Sequence, residues 1–215
     1  MNDYAAGKAW KLEKKQHILE TAFTLFSERG IEQVTMPEIA DASKVGRATL
    51  YRYFETKLDL VLTIATSKWE TYIKAYRASV PAERVAQMTA GENLRFFMDS
   101  FLDLYRNHRD VLRFNYNFNS YMRYAAVPRE KQQSYLLMIE HLRTQFHRIY
   151  VRGLMDGTLN TQIGEDEMLS SIFHIMLAAV TRFSIGLIYA PENGSDPEKE
   201  LVILEELLLS RFVRG

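Results

Sequence analysis

The 215-residue chain is long enough for one large or two small domains with a sizeable core. Its residues are 47% hydrophobic and 25% charged, which is the composition of a soluble globular protein. Because the chain contains no cysteine, disulfides and zinc sites with thiolate ligands are excluded. The first residues form no apolar signal region, and this predicts a cytoplasmic protein.

The formal net charge is zero, but the charges are unevenly distributed near the start of the chain. Residues 1–15 and 43–57 carry net charges of +2 and +3, whereas residues 16–42 carry −4. A neutral average argues against nucleic-acid binding only when the charge is spread over the whole molecule. The two basic segments therefore indicate where DNA would bind.

The first helix is predicted from about Lys11 to Arg29, and Gly30 ends it. Its apolar residues recur at helical spacing, and they are Ile18, Ala22, Leu25 and Phe26. Residues 1–10 are predicted to be loosely structured. They are either a frayed terminus, which the sequence favours, or an arm that reaches DNA.

Residues 35–57 predict two short helices joined by a tight turn. Thr35 and Glu38 have the spacing of a capping box, which starts the first of these helices. The second runs from Gly46 to about Phe54, with Leu50 and Phe54 on its buried edge. This is a helix-turn-helix, the unit that places one helix in the major groove of DNA.

Many positions in this region agree in order and spacing with one known family. They are Phe26-Ser27-Glu28-Arg29-Gly30, Thr35, Ile39-Ala40, Val45, Thr49-Leu50-Tyr51, Tyr53-Phe54 and Lys57. Together they resemble the DNA-binding domain of the TetR family of transcriptional regulators. Two positions depart from the family pattern, because Lys44 replaces a usual glycine in the turn and Gly46 replaces a hydroxyl residue. Since a lysine with positive φ is uncommon, we expect a slightly different turn.

Side-chain chemistry assigns base reading to the start of the second helix. Arg47 can bond a guanine edge with two hydrogen bonds, and the methyl groups of Ala48 and Thr49 suit a thymine. Lys44 and Gly46 precede them and are included in the predicted DNA-binding set.

The resemblance adds four residues to this set. It implies that Tyr51 lies against bases or the DNA backbone, and that Thr35, Tyr53 and Lys57 anchor phosphates. Phosphate contacts fix the register of a protein on DNA, whereas base contacts specify the sequence. For Tyr51, partial burial as a packing residue is the alternative.

A long helix is predicted from about Lys57 to Ser79, and residues 80–82 break it. We therefore predict a DNA-binding domain over residues 1–56 and a regulatory and dimerisation domain over residues 57–215. The resemblance implies that the long helix transmits a shift in the second domain to the first. The predicted fold is all-α, with a three-helix head joined by this helix to a larger helical domain.

Residues 92–124 contain nine aromatic residues, of which Phe97, Phe101 and Tyr105 recur on one helical face. Such a cluster is either packed core or the lining of a small-molecule pocket, and the sequence leaves both open. Further candidates come from the later helices. The predicted ligand-binding residues are Phe97, Phe101, Tyr105, Phe118, Tyr121, Met122, His141, Phe146, Tyr150, His174, Met176 and Phe183.

Three further helices are predicted after Pro128: one to about Met155, one over residues 166–190 and one over residues 197–212. The middle helix is apolar on two faces, which indicates contact with another subunit. Polar residues interrupt it, so a buried helix is favoured over a membrane span. The resemblance implies a homodimer in which the last two helices pair with their copies around a two-fold axis.

We therefore predict a regulator of transcription, acting most simply as a repressor that a small-molecule effector releases from a near-palindromic double-stranded DNA operator. An activator with the same fold remains an alternative, as do a ligand-binding protein without operator function and an oligomerisation or adaptor protein. A helical metal enzyme is disfavoured, because none of the five histidines lies three residues after a glutamate or four from another histidine. No cofactor, metal site or enzymatic activity is predicted.

Overall fold

The chain forms ten α-helices within residues 3–125, 127–186 and 196–214, which are the residues that this computed structural model describes. The helices are α1 Asp3–Arg29, α2 Met36–Ala42, α3 Arg47–Tyr53, α4 Lys57–Ala78, α5 Ala82–Gln87, α6 Ala90–Asn107, α7 Arg109–Tyr124, α8 Gln133–Asp156, α9 Glu165–Ile185 and α10 Pro197–Phe212. A 3₁₀ turn, Arg129–Gln132, precedes α8. No β-strand occurs in these ranges, and the all-α prediction with an N-terminal helix-turn-helix is confirmed.

Several helices end or begin at the capping residues that the sequence predicted. Gly30 adopts φ +85° after α1, and Gly157 adopts φ +72° after α8, the left-handed conformation that glycine takes without steric cost. Asp196 caps α10, since its carboxylate accepts a hydrogen bond of 3.2 Å from the Lys199 amide. The predicted extension of α9 to residue 190 and most of the loop before Asp196 lie outside the described residues.

The predicted loose structure is wrong for residues 3–10, because α1 begins at Asp3. This segment contains the strong helix formers Ala5, Ala6 and Ala9, so α1 extends toward the N-terminus without an apolar stripe. A periodicity argument misses such a segment. The basic residues that precede the helix-turn-helix therefore belong to a longer helix than predicted.

The helices belong to two compact units. The head unit contains Met1–Lys68 and Arg113–Tyr135, and the body unit contains Trp69–Leu112 and Leu136–Gly215. Helices α4, α7 and α8 contribute residues to both. The division of function between residues 1–56 and 57–215 stays a prediction.

In the head unit, α2 packs against α1 and α3 around fully buried Ile18, Phe26, Ile39 and Leu50. The part of α7 from Arg113 onward adds to this core, because the rings of Phe23 and Phe114 lie 5.5 Å apart. A polar contact accompanies it. The Asn117 side-chain amide donates a 2.9 Å hydrogen bond to the carbonyl of Phe26, which also accepts one of 3.1 Å from the Gly30 amide at the end of α1.

In the body unit, α6, α9 and α10 pack against one another, and α9 is the apolar helix anticipated from the sequence. By length and composition alone α9 could cross a membrane, and a third of its most apolar window is buried. A helix within a soluble protein passes the same test. The exposed side chains of His174 and Arg182 lie on its surface, where a bilayer centre would make the charge of Arg182 costly.

Gly153 marks a close approach of α8 to the segment that follows it. A Cβ at this position would lie 2.7 Å from two atoms of the Leu159 side chain and 2.8 Å from Leu159 Cβ. Both residues are buried, and a rotamer change of Leu159 does not move its Cβ.

We expect Gly153→Ala to lower the free energy of unfolding by about 1 to 3 kcal/mol through overpacking, although alanine is the better helix former. Denaturant unfolding followed by circular dichroism measures this. Leu154→Ala is the control, since Leu154 is the adjacent residue of α8 and is 60% exposed. Equal stability of the Gly153→Ala variant and the wild type would contradict the close approach.

Candidate nucleic-acid interface

The first helix of the motif, α2, begins with a complete capping box. The Thr35 amide donates a 2.7 Å hydrogen bond to Glu38 Oε2, and the Glu38 amide donates one of 3.4 Å to Thr35 Oγ1. Arg29 pairs with the same carboxylate at 2.8 Å. The Arg29 guanidinium, followed by the bonds from Thr35, lowers the pKa of Glu38 to about 2, so the cap is ionised at neutral pH. This confirms the capping prediction.

The turn between α2 and α3 contains Lys44, which adopts φ 53°. It is the only residue other than glycine with positive φ in the described part of the chain. The lysine thus takes the left-handed conformation for which the family uses glycine, at a cost of about 1 kcal/mol. Buried Ser43 supports the turn with a 2.6 Å hydrogen bond to the Ile39 carbonyl, and the Val45 amide bonds to the Ala40 carbonyl.

The second helix, α3, presents two distinct faces. Leu50 is fully buried, and Phe54, which caps the helix, is also buried. The opposite side exposes Arg47, Ala48, Tyr51 and Arg52, with Thr49 half-buried at the margin. Tyr51 is 48% exposed, which disfavours the alternative that it is a packing residue. Gly46 caps the helix without a side-chain bond, leaving the first amides of α3 available to an acceptor such as phosphate.

Three residues predicted to anchor phosphates have partners within the protein. Thr35 donates its hydroxyl to Glu38, and the Tyr53 hydroxyl donates a 3.2 Å bond to the Lys11 carbonyl. The Lys57 ammonium donates to the Glu32 carbonyl at 3.3 Å. Partial burial lowers the pKa of Lys57, and the carboxylate of Glu32 opposes this shift.

The N-terminal half of α1 adds basic residues that the predicted site omitted. Lys11 and its neighbours Lys14 and Lys15 belong to this helix, and the bond from Tyr53 joins its backbone to the end of α3. Lys14 Nζ lies 4.3 Å from the ring of Trp10, which is 54% exposed. The net charge of residues 1–15 was the available signal, but the predicted site was confined to residues 35–57.

The predicted ligand-binding residues do not form one lined cavity. Phe118, Tyr121 and Met122 belong to the head unit. Buried Phe118 lies 5.0 Å from Tyr135, and Lys57 Nζ is 5.9 Å from the ring of Tyr121. Tyr121 and Met122 are half-buried.

The remaining candidates belong to the body unit, where most are packed. The rings of Phe101, Phe146 and Phe173 surround Phe97 in a cluster with centroid separations of 5.5 to 5.8 Å.

Outside this cluster, Tyr105 contacts Phe183, and Met176 is fully buried. The Tyr150 hydroxyl donates to backbone carbonyls of Thr161 and Ile163, while His174 is exposed. In this structure these phenylalanine and tyrosine side chains of the body unit are buried or half-buried.

An open groove of about 420 Å³ lies elsewhere in the body unit, between α4 and α8. Of the predicted ligand-binding residues, His141 lines it. The complete lining is Glu70, Ile73, Lys74 and Arg77 from α4, with Met138, His141, Leu142 and Gln145 from α8. Both sets repeat at i, i+3, i+4 and i+7, the spacing of one helical face. That spacing was the signal available in the sequence.

A family model for bacterial regulatory proteins of the tetR family matches residues 18–64, which span the second half of α1 through the first turns of α4. Residues 18–64 thus match the N-terminal domain of the tetR family. The match includes the capping box, the turn with Lys44 and the whole of α3.

Curated relatives support the same assignment. An HTH-type transcriptional regulator of Staphylococcus aureus is 36% identical over 66 residues, 31% of this chain and 36% of the relative. The probable acrEF/envCD operon repressor of Escherichia coli K12 is 40% identical over 53 residues, 25% of this chain and 24% of the repressor. The chain thus matches about a third or less of the length of these relatives.

Solved structures extend the likeness of fold to nearly the whole chain. A transcriptional regulator from Saccharomonospora viridis in complex with choline has a TM-score of 0.74 at 18% identity, covering 94% of this chain and 99% of that one. The regulator FadR from Bacillus subtilis in complex with stearoyl-CoA has a TM-score of 0.65 at 20% identity, covering 91% and 97%. The described helices therefore have the fold of TetR-type regulators.

Proposed function

We propose that the protein is a TetR-type transcriptional repressor that binds a near-palindromic operator as a homodimer and is released by a small-molecule effector. The observation that carries the proposal is the TetR-family domain with an α3 surface of small and cationic side chains exposed beside a buried Leu50. Such a surface suits insertion into the major groove. In the proposed complex, Arg47 reads a guanine edge, and the methyls of Ala48 and Thr49 face thymines.

The phosphate contacts of the proposed complex come from both sides of α3. Lys44 lies before it, and Arg52 is exposed on it. The lysines of the N-terminal half of α1 extend the basic surface beyond the helix-turn-helix. Each phosphate neutralised by these side chains releases counterions, so affinity falls steeply with salt.

The proposed dimer uses α9 and α10. Apolar side chains on these helices are exposed in the single chain, namely Ile175, Ile185, Ile203 and Leu207. Leu207 is 62% exposed and Ile203 is 56% exposed, which is costly in water and favours association. A two-fold dimer would present two α3 helices about 34 to 36 Å apart, in successive major grooves.

The effector is proposed to bind the body unit. Helix α4 carries residues of both units, which suits it to couple effector binding to DNA binding. Release requires that the effector bind one conformation more tightly than the other. The repressor assignment rests on the name of the Escherichia coli relative. Cytoplasmic location follows from the proposed action on DNA.

Footprinting of DNA that flanks the gene of this protein tests the proposal. We expect protection of a site with two-fold symmetry whose half-site centres are one helical turn, about 34 to 36 Å, apart. A stoichiometry of one dimer per site is expected. Binding that is equal on all sequences, or protection of a single unpaired half-site, would overturn the proposed mode of action.

Lys57 provides a test of the phosphate contacts. If it anchors a phosphate, Lys57→Ala weakens binding by a similar factor on every sequence and reduces the slope of log affinity against log salt by about one. Filter binding at several salt concentrations measures the slope, and Arg148→Ala on α8 is the control. An unchanged slope would mean that Lys57 serves the head unit only through its bond to the Glu32 carbonyl.

A further inference from the structure

The groove between α4 and α8 is apolar along its base. Met138 is buried, and Ile73 and Leu142 are half-buried beside it. The volume of about 420 Å³ lies within the range of about 300 to 1,000 Å³ that is usual for small-molecule sites. An apolar body of an organic ligand would cover these three side chains.

Cationic side chains dominate one wall of the groove. Lys74 and Arg77 are exposed and lie three residues apart on α4, so they share a helical face. Among the described residues, neither has an acidic partner within 4.0 Å, although Glu70 also lines the groove. Two cations against one carboxylate leave this wall positive, and His141 adds charge when protonated.

We propose that this groove binds an amphipathic organic anion. Its headgroup, a carboxylate or a phosphate, lies against Lys74 and Arg77, because a guanidinium can donate two parallel hydrogen bonds to either group. Its apolar body covers Ile73, Met138 and Leu142, where burial of each methylene favours binding by the hydrophobic effect. The Gln145 amide is available to a polar atom of the ligand. The assignment of this ligand as the effector rests on the proposed function, whereas its binding does not.

The test uses four probes that share a dodecyl chain: dodecanoate, dodecyl phosphate, dodecanol and dodecyltrimethylammonium. Isothermal titration calorimetry on the full chain, below the micelle concentration of each probe, measures the dissociation constants. We expect at least one of the two anions to bind about tenfold more tightly than dodecanol, and the ammonium probe to bind no more tightly than dodecanol. The anion that binds more tightly identifies the headgroup.

Matched arginine variants assign the binding to the groove. Arg77→Gln weakens anion binding about tenfold, corresponding to about 1.4 kcal/mol, and leaves dodecanol binding unchanged. Arg148→Gln, an exposed arginine of α8 that does not line the groove, leaves both unchanged. Absence of binding by all probes, equal binding of dodecanol and both anions, or equal effects of the two variants would each overturn the proposal.

Operator affinity is measured separately, with and without the tighter-binding anion. Anion binding that leaves operator affinity unchanged keeps the ligand class and contradicts the effector role. Failure to bind DNA contradicts the proposed function, whereas the calorimetric result stands by itself.

Discussion

Replacing Leu50 by alanine is expected to lower the free energy of unfolding of the head unit by about 2 to 5 kcal/mol. Leu50 is fully buried, and it is the one buried residue of α3, a helix of seven residues. A helix this short is not stable by its own hydrogen bonds, so packing of this side chain holds the recognition surface in position. The substitution removes that packing and leaves a cavity.

Urea unfolding monitored by circular dichroism measures the loss, and specific operator binding falls with it. Leu12→Ala is a matched control, because Leu12 belongs to α1 in the same unit but is 68% exposed. We expect this control to change the unfolding free energy by less than about 0.5 kcal/mol. Equal losses in the two variants would contradict the assignment of Leu50 to the head core.

Glu205→Gln is expected to stabilise the body unit above neutral pH by up to about 3 kcal/mol. Glu205 is 3% exposed on α10, and its Oε1 has no hydrogen-bond partner among the described residues. Burial, followed by repulsion from Asp99, raises the pKa of Glu205 to about 7, although Arg95 and Arg106 oppose the shift. Burial raises the pKa of the Tyr76 hydroxyl, and the charges of Asp99, Asp103 and Glu205 add smaller shifts in the same direction.

The sign of the pH dependence follows from the raised pKa. A carboxyl whose pKa is higher in the folded protein stabilises the folded state by binding a proton. This contribution is complete below pH 4.5, the ordinary pKa of glutamate, and is lost as the pH rises through about 7. Glutamine is neutral at every pH and avoids the loss.

Unfolding of the Glu205→Gln variant and the wild type is compared at about pH 5 and about pH 8. We expect nearly equal stability at the lower pH and a more stable variant at the higher pH. Glu206→Gln is the matched control, because Glu206 is the adjacent glutamate and is exposed. A stabilisation that is the same at both pH values would show that desolvation of the charge is not its cause.

The helix-turn-helix could be predicted from the sequence because its signals are local. Thr35 and Glu38 specify the start of α2, and Leu50 with Phe54 specifies the buried edge of α3. Lys44 could be identified as an unusual residue for the turn, but its positive φ could not be predicted. Whether a lysine accepts the left-handed conformation depends on the surrounding bonds of Ser43 and Val45, which are tertiary features.

The body unit was less predictable because burial there depends on which helices meet. On α10, Leu201, Glu205 and Leu209 share the buried stripe at i, i+4 and i+8, and a glutamate in that position contradicts the usual apolar pattern. The aromatic residues were recognised as candidates for either core or pocket, but their periodicity could not distinguish a packed cluster around Phe97 from a pocket lining.

The groove between α4 and α8 was missed for a related reason. Lys74 and Arg77 are typical residues of a solvated helix face. Their face becomes one side of a groove only because α8 lies opposite it. His141 was predicted from residue type, whereas its neighbours Leu142 and Gln145 follow from the helical repeat once the groove is known.

The most direct test of the central claim, that α3 reads DNA, is a comparison of sequence preferences for wild-type protein and Arg47→Ala. Selection from randomised operators yields both preferences. We expect the variant to lose about 1 to 3 kcal/mol on the best site and to lose discrimination at one base pair in each half-site, with the other positions unchanged. An equal loss of affinity on every sequence would contradict base reading by Arg47, and an unchanged preference with unchanged affinity would contradict the placement of α3 in the major groove.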